Sequence, residues 1–229
     1  LTMLIVAPLS FFGNWVIYKA LLRPLVRRAK NQGQLEVDSI LATFGMSFAL
    51  VGIMVSIHGE YFTYSYLAEP FEIVGETFAL NRIVAFCFAV LIGAVLWLWL
   101  YFTRPGMAMR AVSVSTEASG LVGINVPKMS ALAFALGGAV TTMGGTLIST
   151  FITLDASVGV IFTMKALIII IMGGVGDIRG AIVAALILGL VETAVARLID
   201  PGLTLAAAYA IFVLVLLFRP QGLFGRKPT

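Results

Sequence analysis

The chain has 229 residues, 60% of them hydrophobic and 11% charged, with a mean hydropathy of +1.05. Soluble domains carry ~25% charged residues, so a soluble globule is excluded and the class is an all-α, polytopic helical membrane protein. The net charge of +4 comes from Lys and Arg in short segments between apolar runs; this pattern sets membrane orientation and gives no reason to expect a nucleic-acid partner.

Hydropathy predicts seven crossings. The first covers Leu1–Leu22. It starts inside an apolar run, with no basic n-region or cleavage site, so an N-terminally truncated chain is expected. A basic loop follows, carrying Arg23, Arg27, Arg28 and Lys30, and the second span runs Ser39–Ile57. His58 ends it as an interface residue. The next loop has no Lys or Arg but holds Glu60, Glu69, Glu72 and Glu76. Its aromatic cluster of Tyr61, Phe62, Tyr64 and Tyr66 matches a headgroup-depth belt. The third span, Arg82–Phe102, contains the lone Cys87 and ends in Trp97, Trp99, Tyr101 and Phe102.

A polar stretch, Thr103 to Lys128, separates spans three and four. Arg104-Pro105 ends the preceding helix, because proline cannot continue the hydrogen-bond ladder. One helix is predicted from Met107 to Gly120. Met107, Ala111, Val114, Ala118 and Leu121 recur at spacings of four and three and make an apolar face. Arg110, Ser113 and Glu117 make another. Gly120 and Gly123 supply stops. A structured helix clamped between two spans transmits force if a partner docks on it; the alternative is an interfacial anchor. The pattern leaves both open.

Span four covers Met129–Phe151. Gly137, Thr141 and Gly145, with Ala133 ahead of them, recur every four residues, a spacing that lets helices approach closely in lipid. They are candidates for an inter-helix contact, within the chain or with another subunit, or for a translocation path. Span five, Phe162–Met172, is short of the ~20 residues a crossing needs and breaks at GGVGDIRG, where Gly173, Gly174 and Gly176 mark irregular backbone buried in protein or lining a cavity. Asp177 and Arg179 pair locally there or meet a partner. Span six, Ala181–Leu198, carries Glu192, and span five carries Lys165. Charges inside spans are costly; Glu192 is a candidate for the path or for pairing, and Lys165 is expected to snorkel from the outer end of its span. Span seven runs Leu203–Phe218, followed by a basic tail.

With seven crossings every basic segment falls on one side, which the positive-inside rule makes cytoplasmic. The connector and the C-terminus then lie in the cytoplasm. The chain has one His and one Cys, too few for a metal cluster. It has no G-x-S-x-G, no H-E-x-x-H and no G-x-x-x-x-G-K-[ST]. No enzymatic activity, cofactor or metal is expected, and energy from ATP would have to arrive from another chain.

Three ordered motifs carry a resemblance. Gly106, Arg110, Ala111, Ala118, Gly123, Ile124, Phe134, Gly137 and Gly145 form the first. Gly173, Gly174, Gly176, Gly180, Gly189 and Glu192 form the second. Arg219, Pro220, Gly222, Leu223, Phe224 and Gly225 form the third. Together they resemble the inner-membrane permease subunits of branched-chain amino acid ABC transporters, the LivH/LivM type. The resemblance is strong over Thr103–Gly225 and weak over Leu1–Leu100. Asp177 departs from it, standing where the family has Ser or Thr. The family's N-terminal motif is absent, in keeping with the expected truncation.

The resemblance implies a single permease domain over residues 1–229 in a bacterial or archaeal plasma membrane. It implies import of branched-chain or related small amino acids, with urea or short amides as alternatives. The implied partners are a second homologous permease subunit, two cytoplasmic ATPase subunits and a periplasmic substrate-binding protein. The connector becomes the coupling helix, with Arg110, Ser113, Glu117 and Gly123 as coupling residues. An ion-coupled secondary transporter is the competing class, since such folds place broken helices near the midplane. No second break matches GGVGDIRG in the other half.

Overall fold

The computed structural model describes residues 2–28, 31–59, 61–62, 70–73, 76–155, 158–174, 176–219 and 221–224. Lys30, Glu60, Tyr64, Tyr66, Glu69, Pro220 and Gly225 lie outside these residues, and so do the side chains of Arg27, His58, Tyr61, Phe62, Glu72 and Glu76. The chain forms two units, Leu1–Ala156 and Ser157–Thr229.

In the first unit, α1 (Thr2–Ile17) passes through a π-helical turn, Tyr18–Leu22, into α2 (Arg23–Arg28). The widened turn falls where Pro24 would crowd the carbonyl four residues upstream. α3 begins at Gln32 and runs to His58. The expected basic loop between spans one and two is therefore mostly helix. Its Arg, Gln, Leu and Glu residues are good helix formers, and long basic side chains keep their heads in water while the backbone stays helical. α3 ends at Gly59, whose φ of +79° suits glycine. No described residue of α3 is buried, so Phe44, Phe48 and Ile53 are exposed along it.

Among the described residues are two small sheets, absent from the all-helical expectation. β1 (Tyr61–Phe62) pairs antiparallel with β4 (Leu154–Asp155), and β2 (Pro70–Ile73) pairs with β3 (Glu76–Ala79) in the register Pro70↔Ala79. Proline stands at the first position of β2, where its missing N–H is tolerated. α4 (Leu80–Phe102) and α7 (Val126–Ile148) are each 23 residues long. Between them lie α5 (Arg104–Val114) and α6 (Thr116–Leu121).

α1 packs on α7 through small residues. Ala131, Ala135 and Ala139 are buried, and a Cβ at Gly138 would overlap the Asn14 amide. Close approach of this kind drives association where hydrocarbon gives no hydrophobic force. The predicted stripe lies elsewhere on α7. Ala133, Gly137, Thr141 and Gly145 are exposed, and nothing stands within 4 Å of a Cβ placed at Gly137 or Gly145. Both sets repeat every four residues, so the spacing alone could not choose between them.

In the second unit, α8 (Val158–Gly173) has 16 residues, ~24 Å at 1.5 Å per residue. That is longer than expected but still under the ~30 Å hydrocarbon thickness. α9 (Ile178–Leu198) follows, then a 3₁₀ turn, Pro201–Leu203, and α10 (Thr204–Phe218). Ile168, Met172, Ala184, Leu188 and Ala208 form the core. Among the described residues six helices are long and apolar enough to cross a membrane, and α8 is a shorter apolar helix.

Glycines set the α8–α9 turn. A Cβ on Gly173 would come within 2.5 Å of the Gly180 carbonyl carbon, and Gly174 and Gly176 adopt φ of +103° and +90°. The C-terminal motif closes this turn. The N–H groups of Leu223 and Phe224 donate to the carbonyls of Met172 and Gly173 at 2.8 and 3.1 Å. They satisfy acceptors that the end of α8 leaves free. Gly222, at φ +80°, lies so close that its Cβ would meet the Gly174 nitrogen at 2.6 Å.

Candidate functional site

The polar connector is built by caps. The Thr103 hydroxyl accepts from the Gly106 N–H at 3.2 Å and donates to the Trp99 carbonyl at 2.6 Å, starting α5 next to the end of α4. Gly106 presses on α4, where its Cβ would lie 2.6 Å from the Leu100 Cα. The single helix expected over Met107–Gly120 is in fact two. Ser115 takes an extended conformation, φ −151° and ψ 110°, and its hydroxyl accepts from the Ala118 N–H at 3.2 Å. The run Ser113-Val114-Ser115-Thr116 combines low helix propensity with side chains that bond to nearby backbone, so a cap replaces helix continuation.

The exit is equally defined. Gly123, at φ +83°, donates to the Gly120 carbonyl, and Ile124 donates to the Ser119 carbonyl, each at 3.1 Å. These two bonds make a Schellman ending. Gly123 is thus the stop, while Gly120 stays inside α6. The Asn125 side chain then accepts from the Lys128 N–H at 3.1 Å and caps α7.

Of the three residues expected to face outward, Arg110 is drawn against α4, while Ser113 and Glu117 are exposed. The Arg110 guanidinium stacks 4.1 Å from the Tyr101 ring centroid, and its Nε is buried without a partner. This holds α5 against the end of α4 by a cation–π contact and turns Arg110 away from solvent. The exposed Ser113 hydroxyl donates to the Arg110 carbonyl at 2.8 Å. Large apolar side chains are exposed beside Ser113 and Glu117: Val114 at 84%, Leu121 at 89% and Val122 at 75%.

In the second unit the two intramembrane charges meet. The Lys165 ammonium lies 2.7 Å from Glu192 Oε2, with side chains 24% and 19% exposed. Lys165 sits mid-α8, about two turns from its start. It does not snorkel, because Glu192 stands at the same depth on α9. Ile168 and Met172 follow Lys165 at spacings of three and four, and Ala184 and Leu188 precede Glu192 at spacings of four. The pair therefore continues the buried α8–α9 seam. Glu192 Oε1 is buried with no hydrogen-bond partner.

Asp177 is the N-cap of α9. Its Oδ1 accepts from the N–H groups of Arg179 and Gly180 at 2.8 and 3.2 Å. Ser, Thr and Asp all cap helices, so the departure from the family residue keeps the same local chemistry.

Sequence reasoning missed the polar seam between α1 and α7. The Ser10 and Thr142 hydroxyls are 2.6 Å apart, Ser10 donates to the Gly138 carbonyl at 3.2 Å, and Asn14 Nδ2 donates to the Ser10 carbonyl at 2.9 Å. The signal was present: Ser10 and Asn14 are polar residues four apart in an apolar run. A cavity of about 540 Å³ also opens between α4 and α7, lined by Arg82, Phe86, Gly144, Leu147 and Phe151 among others.

The comparisons agree with these motifs. Residues 32–218 match the model of a family described as branched-chain amino acid transport system / permease component. The chain is 27% identical over 225 residues to the high-affinity branched-chain amino acid transport system permease protein LivH of Salmonella typhimurium, covering 95% of this chain and 71% of that protein. It is 30% identical over 153 residues to BraD of Pseudomonas aeruginosa, a permease protein of the same description, covering 66% of this chain and 50% of that one. It is 27% identical over 202 residues to the ribose import permease protein RbsC of Haemophilus influenzae, covering 84% and 62%. No solved structure matches. The chain belongs to the branched-chain amino acid permease family of membrane transport proteins.

Proposed function

We propose that residues 1–229 act as one permease domain of an ABC importer in a bacterial or archaeal plasma membrane, moving branched-chain or related small amino acids inward. Separate ATPase subunits drive it, a periplasmic binding protein delivers substrate, and a second permease subunit completes the path. Family membership supports the class. The observation that carries the coupling is the connector: two capped helices, fixed to α4 by Gly106 and Arg110 and to α7 by Gly123 and Asn125, with Val114, Leu121 and Val122 exposed. In this reading Arg110 holds the element in place, while Ser113 and Glu117 border the apolar contact.

Lys and Arg in the segments on this side put the connector and C-terminus in the cytoplasm. The exposed stripe of Gly137, Thr141 and Gly145 is available to the second permease. A second reading, transport of another small polar solute, draws on the likeness to RbsC.

The test is co-purification with the ATPase subunits and ATP-driven amino acid uptake in vesicles. Leu121→Glu is expected to lower both at least tenfold without changing the melting temperature of the isolated permease. Unchanged association and uptake would refute the docking role. Uptake driven by an ion gradient without ATP would refute the importer class.

A further inference from the structure

Where α1 turns through its π-helical segment toward α2, beside the start of α7, a cavity of about 280 Å³ opens. Trp15, Tyr18, Lys19, Arg23, Asn125 and Lys128 are among its lining residues. Three are cations, and no carboxylate among the described residues lines it. Among the described residues none of the three has an ion-pair partner.

One of the cations is held in place. The Lys19 ammonium sits 3.5 Å from the centre of the Trp15 ring. The π turn rotates Lys19 and Arg23 relative to a regular helix, and such turns recur at functional sites. Arg23 Nε is buried and has no hydrogen-bond partner. Buried donors are rarely left unpaired, so this one favours an acceptor bound in the cavity. The first turn of α7 adds the positive end of its dipole, while its Lys128 N–H is already taken by the Asn125 side chain.

We propose that this cavity binds the phosphate of an anionic phospholipid headgroup. Phosphate oxygens would supply the acceptor that Arg23 lacks and neutralise Lys19 and Lys128. The cavity lies on membrane-spanning helices with Trp15 and Tyr18 in its wall, side chains typical of headgroup depth. A phosphodiester is concentrated there, whereas free phosphate is not. Basic pockets between membrane helices have this chemistry. The bound headgroup would bridge α1 and α7 directly after the connector. The proposal stands independently of substrate and of ATPase coupling.

Native mass spectrometry of the full permease complex, released from detergent after exposure to equimolar phosphatidylglycerol and phosphatidylcholine, tests it. Phosphatidylglycerol is expected to be retained preferentially. Lys19→Gln with Arg23→Gln is expected to lower that retention about 25-fold, roughly fivefold per cation. The pair Arg104→Gln and Arg219→Gln, outside the cavity, is expected to leave it unchanged. If the double variant fails to fold, Lys128→Gln, at an exposed position, carries the test with an expected fivefold loss, and Lys128→Arg retains binding. Equal retention of the two lipids, or variants that keep full preference, would overturn the proposal. So would inorganic phosphate raising the melting temperature in an Arg23-dependent way while phosphatidylglycerol does not, which would assign the cavity to a free anion.

Discussion

The Lys165–Glu192 pair is open to a double-mutant cycle. At 2.7 Å its Coulomb attraction is about 6 kcal/mol for an effective dielectric of 20, most of it offset by desolvation of the two charges. Glu192→Gln leaves a lysine about two turns inside α8 without a counter-charge. A lone lysine at a helix centre costs about 2.5–3.5 kcal/mol on insertion scales. Lys165 is 24% exposed and part of that cost is relieved by water or headgroups, so about 2 kcal/mol is expected. For a chain of this length that lowers the melting temperature by about 4–8 °C. Lys165→Met should cost a similar amount, because Glu192 Oε1 already lacks a partner. The double variant removes both charges and should recover to within about 2 °C of the parent, since apolar or neutral replacements of an ion pair are often tolerated. Circular dichroism at 222 nm on protein in one fixed detergent reads all four species. If the double variant loses the sum of the two single losses, the residues are not coupled, and the pair does not hold α8 to α9.

Gly180→Val is expected to destabilise by about 3 kcal/mol or more, the upper range for overpacking, because its Cβ meets the Gly173 carbonyl. Gly189→Val, in open space on the same helix, is the control and should stay near the parent in the same melt. Asp177→Ser should keep the α9 cap, while Asp177→Ala should lose about 1 kcal/mol. Equal melting of these two variants would show that the cap contributes nothing.

Much of the fold follows from hydropathy and punctuation. The positions of the apolar runs located the six span-length helices and the shorter α8, because backbone polar groups in hydrocarbon must be satisfied within helices. Pro105, Gly123 and the glycines of GGVGDIRG marked real boundaries, since proline lacks a donor and positive φ favours glycine. Boundaries rich in Arg and Gln were misread as loop, because polar composition and helix propensity point in opposite directions there. The candidate site was legible in part. The connector was located, but its break at Ser115 depends on a hydroxyl choosing the Ala118 N–H over helix continuation. Of the face assigned from charge, Ser113 and Glu117 are exposed and Arg110 is not, and Val114 and Leu121 are exposed beside them.

The sequence by itself determined the membrane class, the seven apolar segments, the connector between two of them and the family motifs, because each is a property of neighbouring residues. Only the tertiary structure decided which of two four-residue repeats on α7 faces α1, that Lys165 meets Glu192, that Arg110 lies on Tyr101, and that Leu223 and Phe224 complete the end of α8. These are contacts between residues distant in the chain or on opposite sides of a turn. Helical periodicity names a face, but only packing supplies its partner.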